Sequence, residues 1–135
     1  MRCGAERGGM GMTYVTVRFS RKERGSARAV RALVDTGAFY TMVPARILTA
    51  LGVTPRWREE FELGDGRKIP RDVGKAYVHY RGESAETYVI FGEPGDAVVL
   101  GCYSLEGLRL EVSPRTKRLR RPKTLPLIRV APARG

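Results

Sequence analysis

Ala32-Leu33-Val34-Asp35-Thr36-Gly37-Ala38 sets a carboxylate directly after an apolar run and just ahead of a small hydroxyl residue and a glycine. Residues Arg28 to Val34 have the apolar, β-branched character of a strand, and Gly37 marks a change of direction at its end. An ionisable group at the end of a buried strand is costly unless it is paired or put to use. An Asx turn, in which the carboxylate caps its own backbone, would also account for Asp-Thr-Gly. The surroundings decide between the two.

Upstream, Val15, Val17 and Phe19 alternate with Tyr14, Thr16 and Arg18, a period of two that puts one face of a strand on a core. Ser20–Ser26 reads as a hairpin turn. Downstream, Thr41–Val43 is extended, Pro44 stands where a first helical residue would and Gly52 where a helix would stop, with Ile47, Leu48 and Leu51 on one face. Trp57, Glu59, Phe61 and Leu63 then alternate with Arg58, Glu60 and Glu62, and Gly64-Asp65-Gly66 supplies a tight turn before a return over Arg67–Ile69. Ala76, Val78 and Tyr80 form the inward set of a further strand, joined through Arg81-Gly82-Glu83 to one over Thr87–Phe91. After a loop at Gly92–Asp96, Ala97–Leu100 suits a strand buried on both sides, and Cys102–Glu106 suits about one helical turn stopped by Gly107. Leu108, Leu110 and Val112 complete the pattern as a last core strand. Short strands with turn signals at roughly 8–12-residue spacing predict an all-β barrel or sandwich.

The chain has 135 residues, 42% of them hydrophobic and 29% charged, which suits one domain with a real core. No apolar run approaches the roughly 20 residues of a membrane-spanning helix, and Met1–Met12 lack the apolar stretch of a secretory signal, so a cytoplasmic protein with no membrane contact is expected. Cys3 and Cys102 do not make a disulfide framework, and with a single histidine they do not make a metal-ligand set. The formal charge of +11 is concentrated at one end: residues 113–135 hold eight of the 25 bases and none of the 14 acids. The run from Arg115 to Lys123 has the charge to contact phosphates, but no aromatic residue interleaves it to stack bases, which favours a solvated or partner-facing segment over a nucleic-acid site.

The order of three elements, Ala32-Leu33-Val34-Asp35-Thr36-Gly37-Ala38, the hairpin at Leu63-Gly64-Asp65-Gly66, and Val98-Val99-Leu100-Gly101 before a short helix, resembles the retropepsin-like aspartic proteases. The resemblance runs from about Thr13 to Pro114. It implies an acid-protease barrel with its active site at a homodimer two-fold axis, Asp35 as the catalytic residue, and Thr36, Gly37 and Ala38 as the active-site loop. Leu63, Gly64, Asp65 and Gly66 would then form a flap over a peptide or unfolded-protein substrate, and Val98, Val99, Leu100 and Gly101 would support the active loop. Asp65 and Arg67 make this hairpin tip more charged than a glycine-rich viral flap. The chain carries one Asp-Thr-Gly where the chemistry needs two carboxylates, and the family's homodimer meets that need. No metal or cofactor is implied.

On this reading residues 1–12 are a flexible tail, 13–114 the protease domain, and 115–135 a basic C-terminal extension with a dimer-interface strand near 125–130, where Leu125, Leu127, Ile128 and Val130 are too apolar for a solvated tail. His79 is expected to be exposed, Cys102 partly buried, and Trp57 to serve core packing or edge cover. Two other functions compete: a catalytically weak binding module on the same fold, and a basic nucleic-acid-associated protein acting through residues 115–123.

Overall fold

A computed structural model describes residues 12–124, so the expected N-terminal tail and the apolar stretch at 125–130 lie outside the described residues, apart from Met12. Among the described residues, nine strands and two short helices follow one another. β1 (Tyr14–Ser20), β2 (Ala27–Val34), β3 (Thr41–Pro44), α1 (Ala45–Leu51), β4 (Trp57–Glu62) and β5 (Lys68–Tyr80) form the first part. β6 (Glu83–Gly92), β7 (Val99–Leu100), α2 (Cys102–Gly107), β8 (Glu111–Val112) and β9 (Leu119–Arg120) complete it.

Seven strands make one sheet in the order β1-β2-β7-β3-β6-β5-β4, and β8 pairs with β9 in a separate ribbon. β1 also pairs with β5, Arg18 opposite His79 and Ser20 opposite Tyr77, so the strand order that begins at β1 returns to it. The alternation read from the sequence is the cause. Val17 and Phe19 of β1, Val30 and Ala32 of β2, and Val78 of β5 turn to a shared interior where each is buried, with Leu48, Leu100 and Leu105 added from the helices and β7.

The α1 helix ends as a glycine stop should: Gly52 lies at φ 87°, its N–H donates to the Thr49 carbonyl, and Val53 N–H reaches back to Leu48. Pro44 sits one residue earlier than expected, at the cap rather than in the first turn, with ψ at 132°. The β5–β6 turn has Arg81 at φ 48° and Gly82 at φ 82°, the two-residue geometry whose twist matches antiparallel strands.

Several sequence expectations are corrected. The return expected over Arg67–Ile69 starts at Lys68 and runs on through residues 76–80 as one strand of 13 residues, β5, because neither Pro70 nor Gly74 breaks it. Pairing with β6 starts only at Val73, so residues 68–72 have β4 as their one ladder partner, a setting that tolerates proline. Gly74 serves a close approach: a Cβ there would meet the Thr54 carbonyl oxygen at 2.8 Å. The expected strand over Ala97–Leu100 shrinks to Val99–Leu100, and of the four only Leu100 is buried. Gly107 is the last residue of α2, and the turn beyond it falls to Arg109 at φ 59°. Cys102 is fully buried and disulfide-bonded, where a partly buried thiol was expected; the chain's other cysteine lies outside the described residues. His79 is half-buried, with Nε2 2.6 Å from the Ser20 hydroxyl.

Candidate functional site

Asp35 follows directly on β2, where that strand runs parallel to β7 with Leu33 opposite Val99 and Val34 opposite Leu100. The ladder continues one step past the strand, Asp35 N–H donating to the Leu100 carbonyl at 3.0 Å. The chain then turns. Gly37 N–H donates to Asp35 Oδ1 at 2.9 Å, and Ala38 N–H to the Asp35 carbonyl at 3.1 Å. The Asx turn anticipated as the plain structural explanation is therefore present, and it aims rather than hides the carboxylate, which stays half-buried with Gly37 exposed beside it.

The far side of the loop is held by α2. The first N–H groups of a helix have no partner within it; here Cys102 N–H donates to the Ala38 carbonyl at 2.8 Å and Tyr103 N–H to the Phe39 carbonyl at 3.0 Å. Gly101, just ahead of them, lies so close that a Cβ would stand 2.4 Å from the Tyr40 carbonyl oxygen. Only glycine fits. The element Val98-Val99-Leu100-Gly101 thus touches the 33–40 segment at both ends, through the Leu33 N–H to Val98 carbonyl bond at 2.9 Å and through Gly101 against Tyr40.

Beneath this contact lies a chain of buried hydroxyls that the sequence did not announce. Gly101 N–H donates to Thr41 Oγ1 at 3.0 Å, Thr41 Oγ1 is 2.5 Å from Ser104 Oγ, and Ser104 Oγ is 2.7 Å from Thr87 Oγ1. All three side chains are buried, and among the described residues no buried side-chain nitrogen or oxygen lacks a partner.

The hairpin between β4 and β5 is built differently. Leu63 N–H donates to the Arg67 carbonyl at 2.7 Å and Gly66, at φ 89°, donates to Leu63 at 2.9 Å. Asp65 accepts from Arg67 twice, from the backbone N–H at 3.0 Å and from Nε at 2.8 Å, and those bonds hold its carboxyl below the usual carboxylate range. Gly64, Asp65 and Gly66 are exposed and Leu63 half-buried; a Cβ at Gly64 or Gly66 would meet nothing within 4 Å.

Between hairpin and Asp35 loop runs a set of six aromatic rings. Trp57 and Phe61 come from β4, Tyr88 from β6, Tyr103 from α2, and Phe39 and Tyr40 directly follow the Asp35 turn. Trp57 packs on Tyr88 at 5.7 Å between centroids, Tyr88 on Tyr103 at 5.1 Å and on Tyr40 at 5.4 Å, and Tyr40 on Phe61 at 6.0 Å. Phe39, Trp57 and Tyr103 are each more than a third exposed. Burial and the Glu59 carboxylate push the Tyr40 hydroxyl above its ordinary range. Trp57, expected to serve core packing or edge cover, stands on β4 at the end of the strand order; it packs on Tyr88, donates its indole N–H to Glu59 at 2.6 Å and shows a face to solvent. The other rings lie on four segments, and no sequence pattern joins them.

β5 is tied to the stretch before β7 by a paired fork: Arg71 Nε and Nη2 donate to the two Asp96 oxygens at 2.8 and 3.0 Å. This ion pair, with Glu93 N–H as a further donor, holds Asp96 below the usual carboxylate range. Among the described residues no group of three His, Cys, Asp or Glu gathers in the manner of a metal site, and no helix is long and apolar enough to cross a membrane.

No protein-family model and no curated protein matches the chain. Solved structures do. The solution structure of the simian foamy virus (mac) protease is 21% identical, covering 68% of this chain and 92% of that one, with a TM-score of 0.47. The crystal structure of the retroviral protease-like domain of Ddi1 from Leishmania major is 20% identical, covering 83% of this chain and 90% of that one, with a TM-score of 0.50.

Proposed function

The chain has a retropepsin-like fold, and from that premise we propose that it is an aspartic endopeptidase acting as a homodimer, with residues 13–114 as the catalytic unit and Asp35 of each copy forming the catalytic pair. The observation that carries this reading is the support of Asp35: main-chain bonds from Asp35, Gly37 and Ala38 and two helix N–H donors fix a half-buried carboxylate in one orientation. Such over-determination of a single acid is what a reacting group requires.

Each chain supplies one such carboxylate, so two copies complete the site. Two carboxylates brought side by side cannot both ionise cheaply, and the pair holds one proton between them. The ionised member takes a proton from a water as that water's oxygen attacks the peptide carbonyl. The protonated member gives its proton to the carbonyl oxygen. Collapse of the resulting tetrahedral diol, with a proton delivered to the amide nitrogen, releases an amine and a carboxylic acid. No covalent enzyme intermediate and no cofactor take part. Thr36 hydrogen-bonds across the dimer, Leu63 to Gly66 close over an extended peptide, and the aromatic rings between hairpin and loop take its large apolar side chains.

The test is cleavage of a peptide library from pH 3 to 7 by the native chain, by Asp35→Asn, and by the native chain with a statin-type inhibitor, with sedimentation on the same samples. Cleavage by a dimer, lost in both controls, supports the proposal. A folded dimer that cuts nothing, or a protein that remains monomeric at assay concentration, rejects it in favour of a peptide-binding module.

A further inference from the structure

The turns β1–β2 and β5–β6 meet at the end of the sheet remote from Asp35, with a cleft of about 580 Å3 between them. β2 starts at the cleft with Ala27 and ends next to Asp35, so about 25 Å of strand separates the two places. Arg18, Arg24 and Arg81 line the cleft together with His79 and Tyr80; its carboxylates are Glu23 and Glu83. Glu83 is already engaged, by Arg109 at 3.0 Å on one oxygen and by Arg121 at 3.3 Å on the other. Five guanidinium groups therefore surround two carboxylates.

Arg121 belongs to the basic run at 115–123. Part of that run folds back as β9, Leu119 opposite Val112 and Arg120 opposite Glu111, to whose carboxylate Arg120 donates at 2.7 Å, and the next residue, Arg121, reaches the lip of the cleft at Glu83. Arg115, Arg118 and Lys123 of the same run are exposed. In sequence the run lacked an aromatic partner; in space the cleft supplies one. Tyr80, half-buried and packed in part against the core as its place in the inward set of β5 requires, lines the cleft with the rest of its ring, and the Arg81 guanidinium lies 5.3 Å from the ring centroid. A cationic track with a ring beside it is the combination that holds single strands, the cations meeting phosphates and the ring meeting a base.

We propose that this cleft, continued along the basic run beside it, binds single-stranded nucleic acid, with Arg18, Arg24 and Arg81 meeting the phosphates and Tyr80 stacking on a base. A linear polyanion fits better than an isolated oxyanion, because the positive surface runs from the cleft onto a second segment. The proposal is independent of peptide hydrolysis, and Asp35→Asn binds as the native chain does.

The experiment is fluorescence anisotropy of the full chain with a labelled single-stranded DNA of mixed sequence in a series of sodium chloride concentrations. Thermal melts on every variant confirm folding. The expected result is binding that weakens with salt, at least tenfold loss for the double variant Arg24→Gln with Arg81→Gln, and a salt slope lower by about 1.4, two contacts at about 0.7 each. Tyr80→Leu, which keeps an apolar side chain against the core and removes the ring, loses about tenfold, and Arg46→Gln, on α1, stays within twofold. The proposal is overturned by no binding at 50 mM salt, by equal losses in Arg46→Gln, by unchanged binding in the double variant, by displacement with millimolar inorganic phosphate, or by equally tight binding of polyglutamate.

Discussion

The turn at Asp35 and the hairpin tip at Asp65 each present an aspartate accepting from the backbone N–H two residues on, and the same local motif is held in opposite ways. At Asp35 the motif is locked into its surroundings: β7 takes its N–H, α2 fills its carbonyls, and Gly101 packs against the backbone that follows. At Asp65 every bond given to the turn stays between Leu63 and Arg67, at side chains open to solvent. An Asx turn alone therefore says nothing about rigidity. What surrounds it decides whether a carboxylate is fixed for reaction or carried on a segment free to move, and low local stability is what a closing element needs.

The sharpest way to break that contrast is to remove the charge from the fixed turn while leaving its shape. Asp35→Asn keeps an oxygen for Gly37 N–H, so the melting temperature should hold while kcat/KM on a cleavable peptide falls by about a thousandfold; retained cleavage would place the chemistry elsewhere. Next, Gly101→Ala drives a methyl into the Tyr40 carbonyl and should cost about 3 kcal/mol in urea unfolding. A smaller loss comes from the fork that ties β5 to the segment before β7. Asp96→Asn should cost roughly 1.5–3 kcal/mol at neutral pH. The folded Asp96 carboxyl titrates below its unfolded range, so its contribution is full above about pH 4 and fades as pH falls through the folded value. The urea midpoints of Asp96→Asn and native protein should accordingly converge in acid.

Two milder changes sharpen the comparison from the other side. Trp57→Ala, on the arm leading to the hairpin, should lower kcat/KM by about tenfold through KM with the fold intact, if the exposed ring meets substrate. Gly64→Ala meets nothing within 4 Å and should alter stability by less than about 0.5 kcal/mol. A large loss there would show that the tip is as constrained as the Asp35 turn.

The sequence carried those features whose cause is local. Alternation at Val15, Val17 and Phe19 marked β1, and Gly52 marked the end of α1, because burial period and left-handed geometry are properties of neighbouring residues. Asp35 with its turn was legible for the same reason. The continuity of β5 from Ile69 to Ala76 was not legible, since Pro70 and Gly74 find their settings only once the partner strands and the Thr54 backbone are in place. The aromatic set, the Arg71–Asp96 fork and the Thr41–Ser104–Thr87 hydroxyls were hidden altogether. Their members lie on separate segments and acquire meaning only from pairings made across the sheet.

Those hydroxyls have a directional consequence. Gly101 N–H can only donate and fills one acceptor site of Thr41 Oγ1; with Thr87 donating its one proton at the far end of the row, Ser104 donates to Thr87 and Thr41 to Ser104. Thr87 is left to point toward the Tyr88 carbonyl. In this sense each gap in the row holds one proton, and reversing Ser104 alone would set two protons facing each other between it and Thr41. The foundation under the Asp35 turn is thus a row of aligned, buried dipoles, while the hairpin above it is held by bonds within its own tip.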